Sequence, residues 1–193
     1  MKTTQFLLLS CLLMVGCVRS VHPFYSDAQL IYDPALNGIW TTVGESSKNE
    51  TLAVTGDEGS KQYQVVYTDN ESKTGTFTVH LARLGDLLLA DVYPEDLKTP
   101  DSGVYGAHFL PLHSFMIVSY NAGSLKTRQM DPDWLKKQLE AKPELIKHEK
   151  IDDQIILTAP TPQLQELIVK NIATEKAFGE PAEFKWTGPT TSP

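Results

Sequence analysis

"KTGTFTVHLARLGDLLLADVYP", residues 73–94, decides how the chain folds. Phe77, Val79 and Leu81 alternate with Thr76, Thr78 and His80, the period of a strand with one apolar face. Leu84-Gly85-Asp86 supplies a turn, and the apolar run from Leu87 to Ala90 opens a second strand, so the stretch reads as an antiparallel hairpin. Upstream, "GIWTTV" (38–43), "ETLAVT" (50–55) and "QYQVVYT" (62–68) repeat the signal: Leu52 and Val54 share one face, as do Tyr63, Val65 and Tyr67. The connections "GESSKN" and "GDEGS" have turn composition. Downstream, "HFLPLHSFMIVSYNAGSLKTRQ" (108–129) reads as a strand interrupted at Pro111, a turn at Asn121 to Gly123 and another strand. Proline in a strand marks an edge or a bulge.

The pattern changes at Met130. In "DPDWLKKQLEAKPEL", Asp131 is placed to cap a helix and Pro132 to start it, with Trp134, Leu135, Gln138 and Leu139 at helical spacing. "DQIILT" (153–158) is a short strand. "TPQLQELIVKNIATEKAF" repeats the helix opening, with Thr161 as the expected cap and Leu164, Leu167, Ile168 and Ile172 on one face. "AEFKW" (182–186) returns to the sheet. The expected fold is therefore α+β: an antiparallel curved sheet or partly closed β-barrel of about 7–9 strands with two C-terminal helices.

The 193 residues carry a net charge of −7, with 41% hydrophobic and 21% charged residues, the composition of an ordinary globular domain. Acids are spread along the chain and bases do not cluster. The electrostatic footprint of a nucleic-acid binder and the polybasic patch of a surface-adsorbed protein are both missing from the sequence. The expected organisation is a signal over 1–16, a tether and N-terminal arm over 17–36, a single domain over 37–186, and a disordered tail over 187–193, where "TGPTTSP" lacks the apolar residues to fold.

The N-terminal assignment rests on "FLLLSCLLMVGCVRS" (6–20). Lys2 precedes an apolar run of about ten residues, well short of the roughly 20 needed to cross a bilayer, so it reads as a secretory signal that is removed. Its ending, Leu13-Met14-Val15-Gly16-Cys17, resembles the lipobox of bacterial lipoproteins, in which the cysteine takes a diacylglycerol on sulfur before cleavage. That resemblance implies lipidation at Cys17 and removal of Cys11 with the signal, leaving no internal disulfide. Acyl chains at roughly 0.8 kcal/mol per buried CH₂ then make a durable anchor. Val18 stands where inner-membrane retention would favour Asp, so the resemblance implies a lipid-anchored protein of the cell envelope, on the outer membrane facing the periplasm where the source is Gram-negative.

Candidate chemistry is sparse. His22, His80, His108, His113 and His148 show no paired metal-ligand spacing, so no metal is expected. The runs "YPEDL" and "TPDSG" lack the regular spacing of a calcium loop. Glycine-rich phosphate loops are absent and no cofactor is expected. Asn49-Glu50-Thr51 and Asn70-Glu71-Ser72 match a glycosylation pattern and read as turn residues. No nucleophile elbow or Ser-x-x-Lys motif occurs, and no catalytic residue is assigned. The enzyme alternative, a periplasmic hydrolase, requires His80, Asp91, His113 and Ser114 to converge.

Gly38-Ile39-Trp40 resembles the Gly-x-Trp of lipocalins, whose first-strand tryptophan closes the bottom of an eight-stranded barrel. The chain departs from that family in having two helices separated by a strand near its end and no disulfide. "DPALNGIWT", "LARLGDLLLADVYP", "HFLPLHSFMIV", "MDPDWLKKQL" and "LTAPTPQLQELI", in this order, resemble a recurring set of uncharacterised bacterial secreted and lipoprotein sequences, which implies an envelope protein and no particular activity. The expected function is a membrane-anchored, non-enzymatic binding module for a small apolar ligand or an envelope protein. A cavity lined by Tyr63, Val65, Phe77 and Val79 would favour the ligand, an exposed aromatic patch the protein.

Overall fold

The computed structural model describes residues 17–44, 50–95 and 109–190. The signal with Cys11, Asn49 of the first acceptor pattern, the stretch 96–108 with most of the acidic runs and His108, and the last three tail residues lie outside the described residues.

In chain order the strands are β1 (Arg19–Ser20), β2 (Leu30–Ile31), β3 (Gly38–Thr42), β4 (Thr51–Asp57), β5 (Gln62–Thr68), β6 (Thr74–Leu84), β7 (Leu87–Pro94), β8 (His113–Asn121) and β9 (Ser124–Arg128). Helix α1 (Pro132–Ala141), strands β10 (His148–Ile151) and β11 (Gln154–Leu157), helix α2 (Thr161–Asn171) and strand β12 (Ala182–Gly188) complete the chain. From β3 to β9 each strand pairs antiparallel with the next. β12 then returns between β9 and β3, antiparallel to both, with Phe184 opposite Leu125 on one side and Thr42 on the other. The sheet therefore closes on itself as an eight-strand antiparallel barrel, lipocalin-like in its general shape. Closure leaves none of these eight strands with an unpaired side along its whole length, which removes the edges an open sheet would expose.

The hairpin at 73–94 forms as its alternation dictates. Thr74–Leu84 and Leu87–Pro94 pair through eight residue pairs, and Gly85, at φ 61°, takes the left-handed conformation of the turn. Asn70-Glu71-Ser72 lie in the β5–β6 turn as expected, with Asp69 Oδ1 accepting from the Glu71 and Lys73 amides. β8 starts two residues after Pro111, where the missing N–H no longer matters.

Side chains of alternate register fill the barrel: Trp40, Val54, Tyr63, Leu81, Ala90, Val118, Leu125 and Phe184 form one buried cluster with Leu36. A second cluster lies outside the wall. There Leu89 and Phe115 meet Met130, Leu135, Leu139, Leu157, Leu164 and Ile168 from the helical half of the chain, together with Val18 and Phe24 from the N-terminal arm. One sheet thus buries both faces over part of its area, which accounts for the continuous apolar run at Leu87 to Ala90 where an alternating one was otherwise the rule.

Four boundaries differ from the sequence expectation. The arm is packed from Val18 onward rather than hanging as a tether, because β1 pairs with β8 and β11 and Phe24 is fully buried. β10, "HEKI", carries no strand signal in the sequence, because neither of its faces is buried and no apolar alternation is needed. α2 stops at Asn171, and Thr161 does not cap it; its hydroxyl instead donates to the Pro23 carbonyl of the arm. β12 runs on to Gly188, so the ordered sheet includes Thr187 and Gly188 of the expected tail. Asp131 does cap α1, accepting from the Trp134 amide at 2.8 Å. Among the described residues no helix is long and apolar enough to cross a membrane.

Candidate functional site

Three places carry the chemistry worth weighing: the barrel interior, a polar cluster under the arm, and the surroundings of Cys17.

The barrel is closed at the end where β3 begins. Segment 31–37 crosses that end. Trp40 Nε1 donates to the Leu36 carbonyl at 2.9 Å, and Tyr32 stacks on Tyr63 with ring centroids 5.4 Å apart. Asp33 ties the plug to two strands: its amide donates to Tyr63 Oη at 2.7 Å, and its carboxylate accepts from Tyr120 Oη at 2.5 Å. That hydrogen bond holds the Asp33 carboxyl below its usual range, while burial and then the neighbouring Asp33 push Tyr120 well above its own. Gly38 is required here. Its φ is +135°, and a Cβ would lie 2.1 Å from Trp186 Nε1 and 2.8 Å from the Gly188 carbonyl oxygen.

Above this plug remains a cavity of about 90 Å³, lined by Trp40, Leu52, Val54, Tyr63, Val65 and Val79 with further aliphatic side chains. Three of the four residues expected to line it do so. Phe77 does not: it shares the inward face, but it pairs with Pro94 farther along the barrel, where its ring covers the backbone of Gly75. A site for a drug-sized ligand has roughly 300–1,000 Å³. This one is several-fold smaller and apolar throughout.

On the outer wall, His80 stands opposite Asp91 in the β6–β7 register, and Asp91, Tyr93, His113 and Phe115 share its face. Asp91 has no solvent exposure; it accepts from His113 Nδ1 at 2.7 Å and from the Phe24 amide at 2.8 Å. His80 Nδ1 meets Tyr25 Oη at 3.2 Å, with the two rings 4.8 Å apart. Burial pulls the His80 ring below its ordinary range, opposed by the carboxylate of Asp91. Burial also raises Tyr25.

His80 therefore has close partners in Tyr25 and Asp91. Three of the four residues named for a hydrolase come together. Ser114 does not join them: paired with Val92 and Arg19, it sits on the opposite face from His113. Among the described residues no hydroxyl or thiol is hydrogen-bonded to His113 Nε2, and no three His, Cys, Asp or Glu side chains converge as metal ligands. What the cluster visibly does is hold the arm, helped by Gln165 Nε2, which donates to the Phe24 carbonyl at 3.0 Å. Residues Phe24, Tyr25 and Gln165 carried no motif, since their role depends on long-range contact.

Cys17 lies where β9 peels away from β8 and β1 takes its place. Its thiol donates to Gln129 Oε1 at 3.3 Å. Burial pushes the thiol above its ordinary pKa, against the opposing pulls of Gln129 and Arg19. A half-buried thiol with a raised pKa is a poor nucleophile in the folded protein. It opens onto a groove of about 510 Å³ lined by Arg19, Asp133, Leu135, Lys136, Asp153 and Ile155, among others.

No family model matches the chain, and neither curated proteins nor solved structures yield a match.

Proposed function

We propose that the chain is a bacterial lipoprotein in which Cys17, freed as the N-terminal residue by removal of 1–16, carries the lipid that anchors the barrel to the envelope membrane, on the outer membrane facing the periplasm. The observation that supports this most is the position of Cys17 in the fold. Val18 is buried and Arg19 is already in the sheet, so the lipobox cysteine stands immediately before packed, strand-paired chain and beside an open groove. The raised thiol pKa fits an order of events in which sulfur is alkylated on the extended chain, where Cys17 titrates normally, and the domain packs afterwards.

In this reading the barrel is a binding module and not a catalyst. Its apolar cavity of about 90 Å³ fits a compact apolar ligand of a few heavy atoms. The wider alternative, a protein partner from the envelope, has less behind it: Trp186, Val169 and Ile151 are exposed, but on separate elements rather than in one patch. Incorporation of radiolabelled palmitate in bacterial cells tests the anchor. Label is expected in the parent and in Cys11→Ser and lost in Cys17→Ser; label persisting in Cys17→Ser would refute it.

A further inference from the structure

The tether has no slack. With Cys17 leading directly into β1, a lipid on its sulfur holds the surrounding face of the domain against the bilayer. The parallel β1–β11 register sets Arg19 opposite Ile156, so Cys17 is level with Gln154, and Gln154 pairs with Ile151 at the tip of the β10–β11 hairpin. Ile151 is 56% exposed, an apolar residue at the level where the lipid must leave the protein.

The groove beside Cys17 carries both signs of charge. Arg19 and Lys136 line it, as do Asp133 and Asp153. Lys136 Nζ is 4.0 Å from Asp153 Oδ1, a loose pair between an exposed carboxylate and a partly exposed ammonium. Arg19 is less satisfied: its Nε is buried and has no hydrogen-bond partner among the described residues. That Nε–H is sealed from solvent, so an oxyanion in the groove would meet Arg19 through the rest of its guanidinium, whose charge lines the groove. Val18, Leu135 and Ile155 give the same groove an apolar floor.

We infer that this groove seats the headgroup of a zwitterionic phospholipid of the anchoring membrane, phosphate toward Arg19 and Lys136 and ammonium toward Asp133 and Asp153. The inference rests on the anchor reading and extends it. Opposite charges on the lipid match opposite charges in the groove. A headgroup with a net negative charge meets the same cations but is repelled by both carboxylates, so zwitterionic lipid is preferred over anionic lipid.

Native mass spectrometry of the full acylated protein, extracted in detergent and offered palmitoyl-oleoyl phosphatidylethanolamine or phosphatidylglycerol, tests this directly. One retained phosphatidylethanolamine is expected, with weaker retention of phosphatidylglycerol. Arg19→Gln is expected to lower the adduct roughly tenfold, the loss of one charge-assisted hydrogen bond. Lys136→Gln, at a more exposed side chain that the fold does not need, should lower it in the same direction. Adducts unchanged by Lys136→Gln, or equal for the two lipids, would overturn the inference while the acyl mass on Cys17 in the same spectrum left the anchor reading standing. A spectrum lacking that acyl mass would remove both.

Discussion

At Asp91 a carboxyl group is held out of solvent by the Phe24 amide on one oxygen and the His113 ring on the other. Replacing it leaves two buried donors without an acceptor, each costing about 1–3 kcal/mol. Asp91→Ala is therefore expected to lower unfolding stability by about 3 kcal/mol in urea titration, and Asp91→Asn, which keeps an acceptor oxygen, by less. Equal losses would mean that packing, not hydrogen bonding, holds the arm. His80 adds a pH dependence of definite sign. Its folded pKa lies below the ordinary histidine value of 6.5, so the unfolded chain binds its proton first as pH falls. The stabilisation is complete above pH 6.5 and declines below it, through the folded pKa, and His80→Gln should flatten that decline. The sequence named His80, Asp91, His113 and Ser114 as a set, and the first three meet. Strand alternation would have put Ser114 on the opposite face from His113. The sequence contains no sign of Phe24 and Tyr25, which reach the cluster across more than fifty residues.

Among the elements, β12 has the most demanding task, because it alone bridges β3 and β9 and so completes the barrel. Truncation before Ala182 is expected to abolish cooperative unfolding, monitored by near-ultraviolet circular dichroism, and to expose apolar surface to dye. A cooperative transition in that truncation would contradict a closed barrel. Gly38→Ala tests the same seam more gently. With φ at +135° and the Gly188 carbonyl in the way, it should cost more than the roughly 1 kcal/mol of an ordinary glycine substitution. The long strands were legible because one apolar face per strand leaves a period of two. β1, β2 and β10 were not: two to four residues are too few for a period to show. α1 declared itself through Asp131 and Pro132, and at α2 the same signal located the helix but not its cap, since the Thr161 hydroxyl was taken by the arm.

The whole molecule is a barrel with a filled interior and a second core on part of its outer wall, and that division was not readable from periodicity. An apolar run such as Leu87 to Ala90 is the same in sequence whether its second face meets a helix or another sheet. The filled interior sets the size of any ligand. Benzene should shift amide resonances of the residues lining the cavity, and Leu125→Ala, expected to cost about 3 kcal/mol, should tighten its binding by enlarging the cavity; a binding isotherm unaffected by that substitution would place the ligand elsewhere. The anchor stands apart from these questions, since it concerns where the barrel is held and by what atom. Tandem mass spectrometry of the N-terminal tryptic peptide from membrane-extracted protein decides it. The account predicts Cys17-Val18-Arg19 bearing a diacylglyceryl group on sulfur, and an unmodified Cys17 within a longer peptide that retains Gly16 would contradict it.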